Sequence, residues 1–142
     1  MTALPRRLAR LDMLDGLVAL TARVAAGGVF WRSALTKLDG FGVSEAAYFL
    51  FREEYRLPLI DPDVAAVVAT ACELLFSALL IVGLAARFSA LVLLAMTAVI
   101  QLLVYPGGWP EHVLWAAALL VILARGPGAF SADRLLERLR GA

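Results

Sequence analysis

The sequence predicts an all-α protein, a four-transmembrane-helix bundle with short amphipathic interfacial helices. Three observations carry that expectation. The 142 residues are 62% hydrophobic and only 18% charged, whereas soluble domains hold about 45–50% apolar and about 25% charged residues. Four segments stay apolar over lengths near the roughly 17–25 residues that a spanning helix needs. The charges between these segments sort by side, as they do in multi-pass proteins.

The expected organisation is a single integral membrane domain over residues 1–142, with spans at about 14–37, 62–84, 87–105 and 110–125. A basic, amphipathic arm precedes the first span, with Leu4, Leu8 and Leu11 set against Arg6, Arg7 and Arg10; it reads equally as a surface helix or as a disordered tail. Its arginines imitate the start of a signal peptide, but Asp12 and Asp15 precede the apolar run and Arg23 interrupts it, so a retained first helix is expected. Within that helix Gly16, Ala19, Arg23, Gly27, Ala34 and Lys37 form one stripe of small and cationic residues, which suits a close helix neighbour and a polar inward face.

The longest connection carries an interfacial helix over residues 45–55, capped by Ser44, with Tyr48, Phe51 and Tyr55 on one face. It is expected to lie flat over the mouth of the bundle. Residues 56–62 then return as extended chain, because a residue before proline is biased away from helix. The second span opens with Asp61 as cap, Pro62 in the first turn and Asp63 where the helix dipole favours an acid, and it closes at Gly83. From Pro62 to Gly83 a helix rises about 33 Å, matching a hydrocarbon core of about 30 Å. Glu73 therefore falls near the midplane. Ala66, Thr70, Glu73 and Ser77 share one stripe that must face protein or water.

A short turn to Arg87 makes the second and third spans an antiparallel hairpin. Thr97, Gln101 and Tyr105 align near the end of the third span. Pro110 opens the fourth, placing Glu111 and His112 in its first turn with Trp109 and Trp115 as interfacial anchors. Gly126-Pro127-Gly128 stops it, and residues 131–140 form an amphipathic tail in which Leu135, Leu136 and Leu139 oppose Arg134, Arg138 and Arg140.

Four spans put Arg6, Arg7, Arg10, Arg87, Arg125, Arg134, Arg138 and Arg140 on one side, and Lys37, Arg52 and Arg56 with most acids on the other. Because cytoplasmic flanks carry the Lys/Arg excess, both termini are expected in the cytoplasm. A net charge of +1, with no basic block beside interleaved aromatics, excludes a nucleic-acid partner. The lone cysteine, Cys72, excludes an intrachain disulfide and Cys-x-x-Cys chemistry; beside Glu73 it reads as a small packing residue before a reactive thiol.

Counted at about 1.5 Å per residue, Arg23 and Glu73 reach similar depths, so the two are expected to meet. The pair reads either as a structural ion pair that fixes helix packing or as a proton-handling pair beside a bound redox molecule. A second cluster, Arg32, Lys37, Gln101 and His112, gathers near the outer third. His112, the only histidine, has no ligand spacing around it for a metal. It serves as an interfacial hydrogen bonder or as proton donor and acceptor to a carbonyl head group such as a quinone's. Lys37 snorkels to the interface or attracts an anion.

The ordered set Phe30-Trp31-Arg32-Ser33-Ala34-Leu35-Thr36-Lys37, Glu73 followed by Gly83-Leu84-Ala85-Ala86-Arg87, Val104-Tyr105-Pro106 with Trp109-Pro110-Glu111-His112, and Arg125-Gly126-Pro127-Gly128-Ala129-Phe130-Ser131-Ala132-Asp133 resembles the DoxX-like membrane proteins. The resemblance covers nearly the whole chain. It implies a four-helix protein of the prokaryotic inner membrane, in a family named from a subunit of thiosulfate:quinone oxidoreductase, with other members associated with thiol and oxidative-stress systems. Lys37, Glu73 and His112 occupy that family's recurrent polar positions, and Ser131-Ala132-Asp133 stands where Ser-Leu-Asp is commoner.

The functional expectation is a membrane component of a redox system, either quinone-linked or of the thiol and oxidative-stress kind, with a quinone-interacting oxidoreductase subunit as its enzymatic form. Its catalytic groups are Glu73 and His112, and its cofactor-binding groups are Lys37, Gln101, Arg23 and Arg32. No metal and no covalently bound cofactor is expected. The sequence carries no cofactor motif, so electrons come from a soluble redox partner protein or a diffusible donor. The rival expectation is a non-enzymatic membrane scaffold or small-molecule carrier with a structural buried ion pair. Contact with the lipid bilayer follows from either reading, and Gly27-Gly28 with the alanine-rich faces suits a homo-oligomer.

Overall fold

The computed structural model describes residues 3–141, with side chains described from Arg10 onward. Helix α1 runs unbroken from Ala3 to Thr36. The basic arm therefore continues the first span as one helix, because Pro5 sits harmlessly in the first turn and strong helix formers follow it. Leu4 and Leu8, and hence the arm's amphipathic face, lie outside the described side chains.

Helix α3, Pro62–Val82, starts as its sequence dictates: the Asp61 carboxylate accepts from Asp63 N at 3.0 Å and Val64 N at 3.2 Å. It stops at Gly83, whose φ of 79° is the left-handed conformation that glycine adopts freely. Helix α4, Ala86–Val99, gains a π-helical turn over Ile100–Val104. A single 3₁₀ turn, Pro106–Gly108, leads into α5, Trp109–Arg125. The short α6, Ala132–Arg140, closes the chain. Among the described residues, four helical stretches are long and apolar enough to cross a membrane: Arg10–Thr36, Pro62–Val82, Ala86–Val104 and Pro106–Arg125.

These four form a ring in which α1 packs on α3 and α5, and α4 closes the circle against the same two helices. The core holds Phe30, Leu80, Leu93, Leu119 and Ile122, with alanines 26, 86 and 90 between them. Both expected stripes face inward, since Ala19, Arg23, Ala34 and Lys37 of the first helix and Ala66, Thr70, Glu73 and Ser77 of α3 are all buried. A Cβ on Gly27 would lie 2.5 Å from Ile81 Cγ1 and 3.2 Å from the Ser77 carbonyl oxygen. The missing side chain is what lets α1 and α3 approach so closely.

At the end of the bundle that holds the termini, Asp133 ties α6 to the turn between α3 and α4. Its carboxylate accepts from Ala85 N at 2.8 Å and Ala86 N at 3.0 Å, and its own N–H donates to Gly83 O at 2.9 Å. Ser131 caps α6 by accepting from Arg134 N at 3.2 Å.

The opposite end carries a lid. A two-stranded hairpin, β1 (Leu38–Asp39) and β2 (Gly42–Val43), leads to α2, Glu45–Phe49, which Ser44 caps by accepting from Ala47 N. Helix α2 continues as a π-helical turn, Leu50–Tyr55. Phe51 buries itself against Ala65 and Ala66 of α3, with Tyr48 and Tyr55 packed around it, as the shared face of the interfacial helix anticipates. Arg52 forks onto the Asp63 carboxylate, one contact being 2.6 Å. The return from this helix is a tight turn, in contrast to the expected extended chain, because Arg56 (φ 41°) and Leu59 (φ 68°) both adopt left-handed backbone.

Candidate functional site

A cavity of about 1100 Å³ lies beneath the lid, among α1, α3, α4 and α5. Its volume is slightly above the roughly 300–1,000 Å³ usual for small-molecule sites. Most of its wall is apolar, and Val68 of α3 and Leu91 of α4 line it while also being exposed on the outside of the bundle. The cavity therefore opens sideways between these two helices, toward the surface that lipid would cover.

One wall holds three polar groups in contact. The Lys37 ammonium donates to Glu73 Oε2 at 2.8 Å, to Ser33 Oγ at 2.7 Å and to Ser33 O at 3.3 Å, while the Ser33 hydroxyl donates to Glu73 Oε1 at 3.3 Å. Lys37 is 7% exposed and Glu73 3%. Lys37 has three protons and spends all of them within this cluster. Each carboxylate oxygen of Glu73 retains a further lone pair.

The expected pairing of Glu73 with Arg23 is not what forms. Helical side chains lean toward the N-terminus of their own helix. Arg23, on the rising α1, leans toward the end that holds the termini and donates to the carbonyls of Ile81, at 2.9 Å, and Phe130. Glu73, on the antiparallel α3, leans toward the lid, and Lys37 at the end of α1 leans back one turn to meet it. Arg23 thus belongs to the bundle's other end and clamps main chain, well away from the cavity.

Across the cavity stands His112, in the first turn of α5 and 5% exposed. Its Nδ1 lies 2.7 Å from Gln101 Oε1, and Gln101 Nε2 donates to Pro106 O at 2.9 Å. A carbonyl only accepts, so the Pro106 oxygen fixes the orientation of the amide and the amide oxygen fixes the imidazole tautomer: Nδ1 carries the proton. His112 Nε2 has no protein partner among the described residues and is open to the cavity. A Cβ on Gly108 would lie 2.8 Å from His112 Cε1, so this glycine makes room for the ring.

The remaining expected site residues divide. Gln101 stands behind His112 and does not line the cavity. Arg32 is exposed on the outside of α1, one position and hence about 100° away from Ser33, and does not join the cluster. Trp115, expected as an interfacial anchor, turns inward instead and packs edge-on against Phe30 at 5.7 Å and against His112 at 4.9 Å. Cys72 lies on the cavity wall beside Glu73. Ser33 and Tyr55 are site residues that sequence reasoning did not single out for this role. Ser33 was legible as the residue one turn before Lys37 on the same face. Among the described residues no group of three or more His, Cys, Asp or Glu side chains could hold a metal ion.

The DoxX family model matches residues 18–106, more than half of the chain and the part that contains Ser33, Lys37, Glu73 and Gln101. A protein of Haemophilus influenzae, described as an uncharacterized protein, is 27% identical over 135 residues, covering 88% of this chain and 87% of its own length. No solved structure matches the chain.

Proposed function

On the premise that this chain belongs to the DoxX family, whose members are small membrane proteins, we propose that it is an integral membrane protein that binds a lipid-soluble redox carrier of the quinone type. The observation that carries this reading is the combination in one cavity of an apolar, laterally open wall with two polar stations, Glu73 with Lys37 and Ser33 on one side and His112 on the other. An isoprenoid or alkyl tail would leave between α3 and α4 into lipid. The head group would sit between the stations, beside Tyr55 and Trp115.

Interconverting a quinone and its hydroquinone moves two electrons and two protons. In this proposal a soluble redox partner exchanges the electrons, while His112 Nε2 and the Glu73 carboxylate exchange the protons with the head-group oxygens. Lys37 orients the carboxylate by donating to it, and Gln101 holds the imidazole in the tautomer that aims a lone pair at the ligand. The side bearing Arg87, Arg125, Arg134, Arg138 and Arg140 would face the cytoplasm of a prokaryotic cell, in accord with the positive-inside tendency. Reporter fusions after Arg125 and after Glu53 test that arrangement and should report opposite sides of the membrane.

The test of the binding reading is to purify the protein in mild detergent, extract it with organic solvent and identify what is released. A quinone that co-purifies with the protein and is lost in His112→Ala and Glu73→Ala supports the proposal. Retention of the same molecule in both variants would remove these residues from the site. A second reading, a scaffold without a ligand, is favoured by the complete use of the Lys37 protons within the protein. It expects nothing to be extracted from a well-folded sample.

A further inference from the structure

The hydrogen-bonding sense of the cavity is unusually one-sided. Every proton of the Lys37 ammonium is directed to Ser33 or Glu73, and the Ser33 hydroxyl proton is directed to Glu73. The imidazole proton of His112 is held by Gln101, whose amide is itself fixed by Pro106. What these groups leave for a ligand is a set of acceptors: the remaining lone pairs of the Glu73 carboxylate and the bare Nε2 of His112. The donors left on the wall are neutral, the Tyr55 hydroxyl, the Trp115 indole N–H and the weak Cys72 thiol. A hydrogen bond to an ionised carboxylate is roughly twice as strong as one between neutral groups. A head group that donates therefore gains more here than one that only accepts.

We infer that the cavity recognises its amphiphile in the hydroxyl-bearing, reduced form, taking a hydroquinone or phenol head group in preference to the corresponding carbonyl form. The inference rests on the quinone-type reading above and adds to it the redox state that the site selects. One hydroxyl of the head group donates to Glu73 and the other to His112 Nε2. The Lys37–Ser33 pair and the Gln101–Pro106 chain are positioning groups: the first orients the Glu73 carboxylate by donating to it, and the second holds the imidazole so that Nε2 faces the cavity. A preference of tenfold for the reduced form would raise the midpoint potential of a bound two-electron carrier by about 30 mV over the free carrier.

The experiment compares three probes of one size on the full chain in lipid nanodiscs: decyl-hydroquinone, decyl-benzoquinone under anaerobic conditions, and the dimethyl ether of the hydroquinone, which cannot donate. Binding is read from quenching or shift of tryptophan fluorescence. The expected result is that the hydroquinone binds at least about tenfold more tightly than either other probe. Gln101→Leu, which removes the group holding the Nδ1 proton while leaving the buried cluster untouched, should let His112 donate from Nε2 and narrow the preference to about threefold or less. Glu73→Gln should weaken the hydroquinone selectively. Equal or tighter binding of the quinone overturns this inference and leaves the proposed function standing. No preference among the three probes, with Gln101→Leu without effect, likewise overturns it. Failure of all three to bind overturns the proposed function itself.

Discussion

Lys37 and Glu73 meet at 2.8 Å inside the bundle, and the two ends of that contact lie on antiparallel helices that lean their side chains toward each other. The pair replaces the Arg23–Glu73 contact that depth alone suggests. It joins the end of the first helix to the middle of the third and forms one wall of the cavity. Removing one partner strands the other charge where water is scarce, which costs about 3–5 kcal/mol for buried pairs in general. Lys37→Ala and Glu73→Ala should therefore each lower thermal stability in detergent strongly. Lys37→Met combined with Glu73→Leu should recover most of the loss. A double-variant cycle measured by thermal unfolding checks this, and additive losses would deny the coupling.

Adjacent glycines in α1 should respond oppositely to the same change. A Cβ at Gly27 would collide with Ile81 and press on the Ser77 carbonyl, while nothing lies within 4 Å of a Cβ at Gly28. Gly27→Ala should destabilise by roughly 1–3 kcal/mol, the range of overpacking. Gly28→Ala should be neutral or stabilise by about 0.5–1 kcal/mol, because alanine is the better helix former. Paired melting curves of the two variants decide the matter.

Asp133 supplies the cap that α4 lacks in its own sequence, since Ala85 precedes that helix in left-handed backbone and offers no side-chain acceptor. Asp133→Ala should cost about 0.5–2 kcal/mol, as cap removals do. Hydrogen exchange at the amides of Ala85 and Ala86 should accelerate. Unchanged protection at those two amides would show that the carboxylate does not hold them.

The lid should loosen at high pH. Burial first, and then the neighbouring Tyr105, pushes the Tyr55 phenol above the ordinary tyrosine value. A group whose folded value is raised contributes stability that is fully present below its unfolded value, about 10, and is lost as pH rises through the folded value. Protease cleavage within the lid should therefore increase above about pH 10. Tyr55→Phe, which has no proton to lose, should flatten that rise, and an identical pH response in the variant would assign it elsewhere.

The four long helices were legible in the sequence because lipid demands continuous apolar runs, and Pro62, Gly83, Pro110 and Gly126 mark their ends. The inward stripes were legible too, because helical spacing groups Thr70, Glu73 and Ser77 without reference to any partner. Partner choice was not. It depends on which way each helix runs and leans, and depth counting along two antiparallel helices favours Arg23 because it leaves out the lean that brings Glu73 and Lys37 together. The hairpin at residues 38–43 was not read: its two-residue loop is Gly40-Phe41, with glycine in the first position at positive φ, and two-residue strands leave too little alternation to read. The π-helical turns at Leu50–Tyr55 and Ile100–Val104 have no distinct sequence signature. The second of them shapes the segment carrying Gln101 just ahead of Pro106, and with it the tautomer of His112.

The most direct test of a head-group site between Glu73 and His112 is photocrosslinking. A benzoquinone carrying a short alkyl tail and a diazirine beside the ring, irradiated with the protein in nanodiscs, should label residues 68–73 of α3 and residues 111–115 of α5, and excess unlabelled decyl-hydroquinone should suppress that labelling. Label concentrated instead around Arg23 and α6, or spread over the outer helix faces and indifferent to the competitor, would contradict the site.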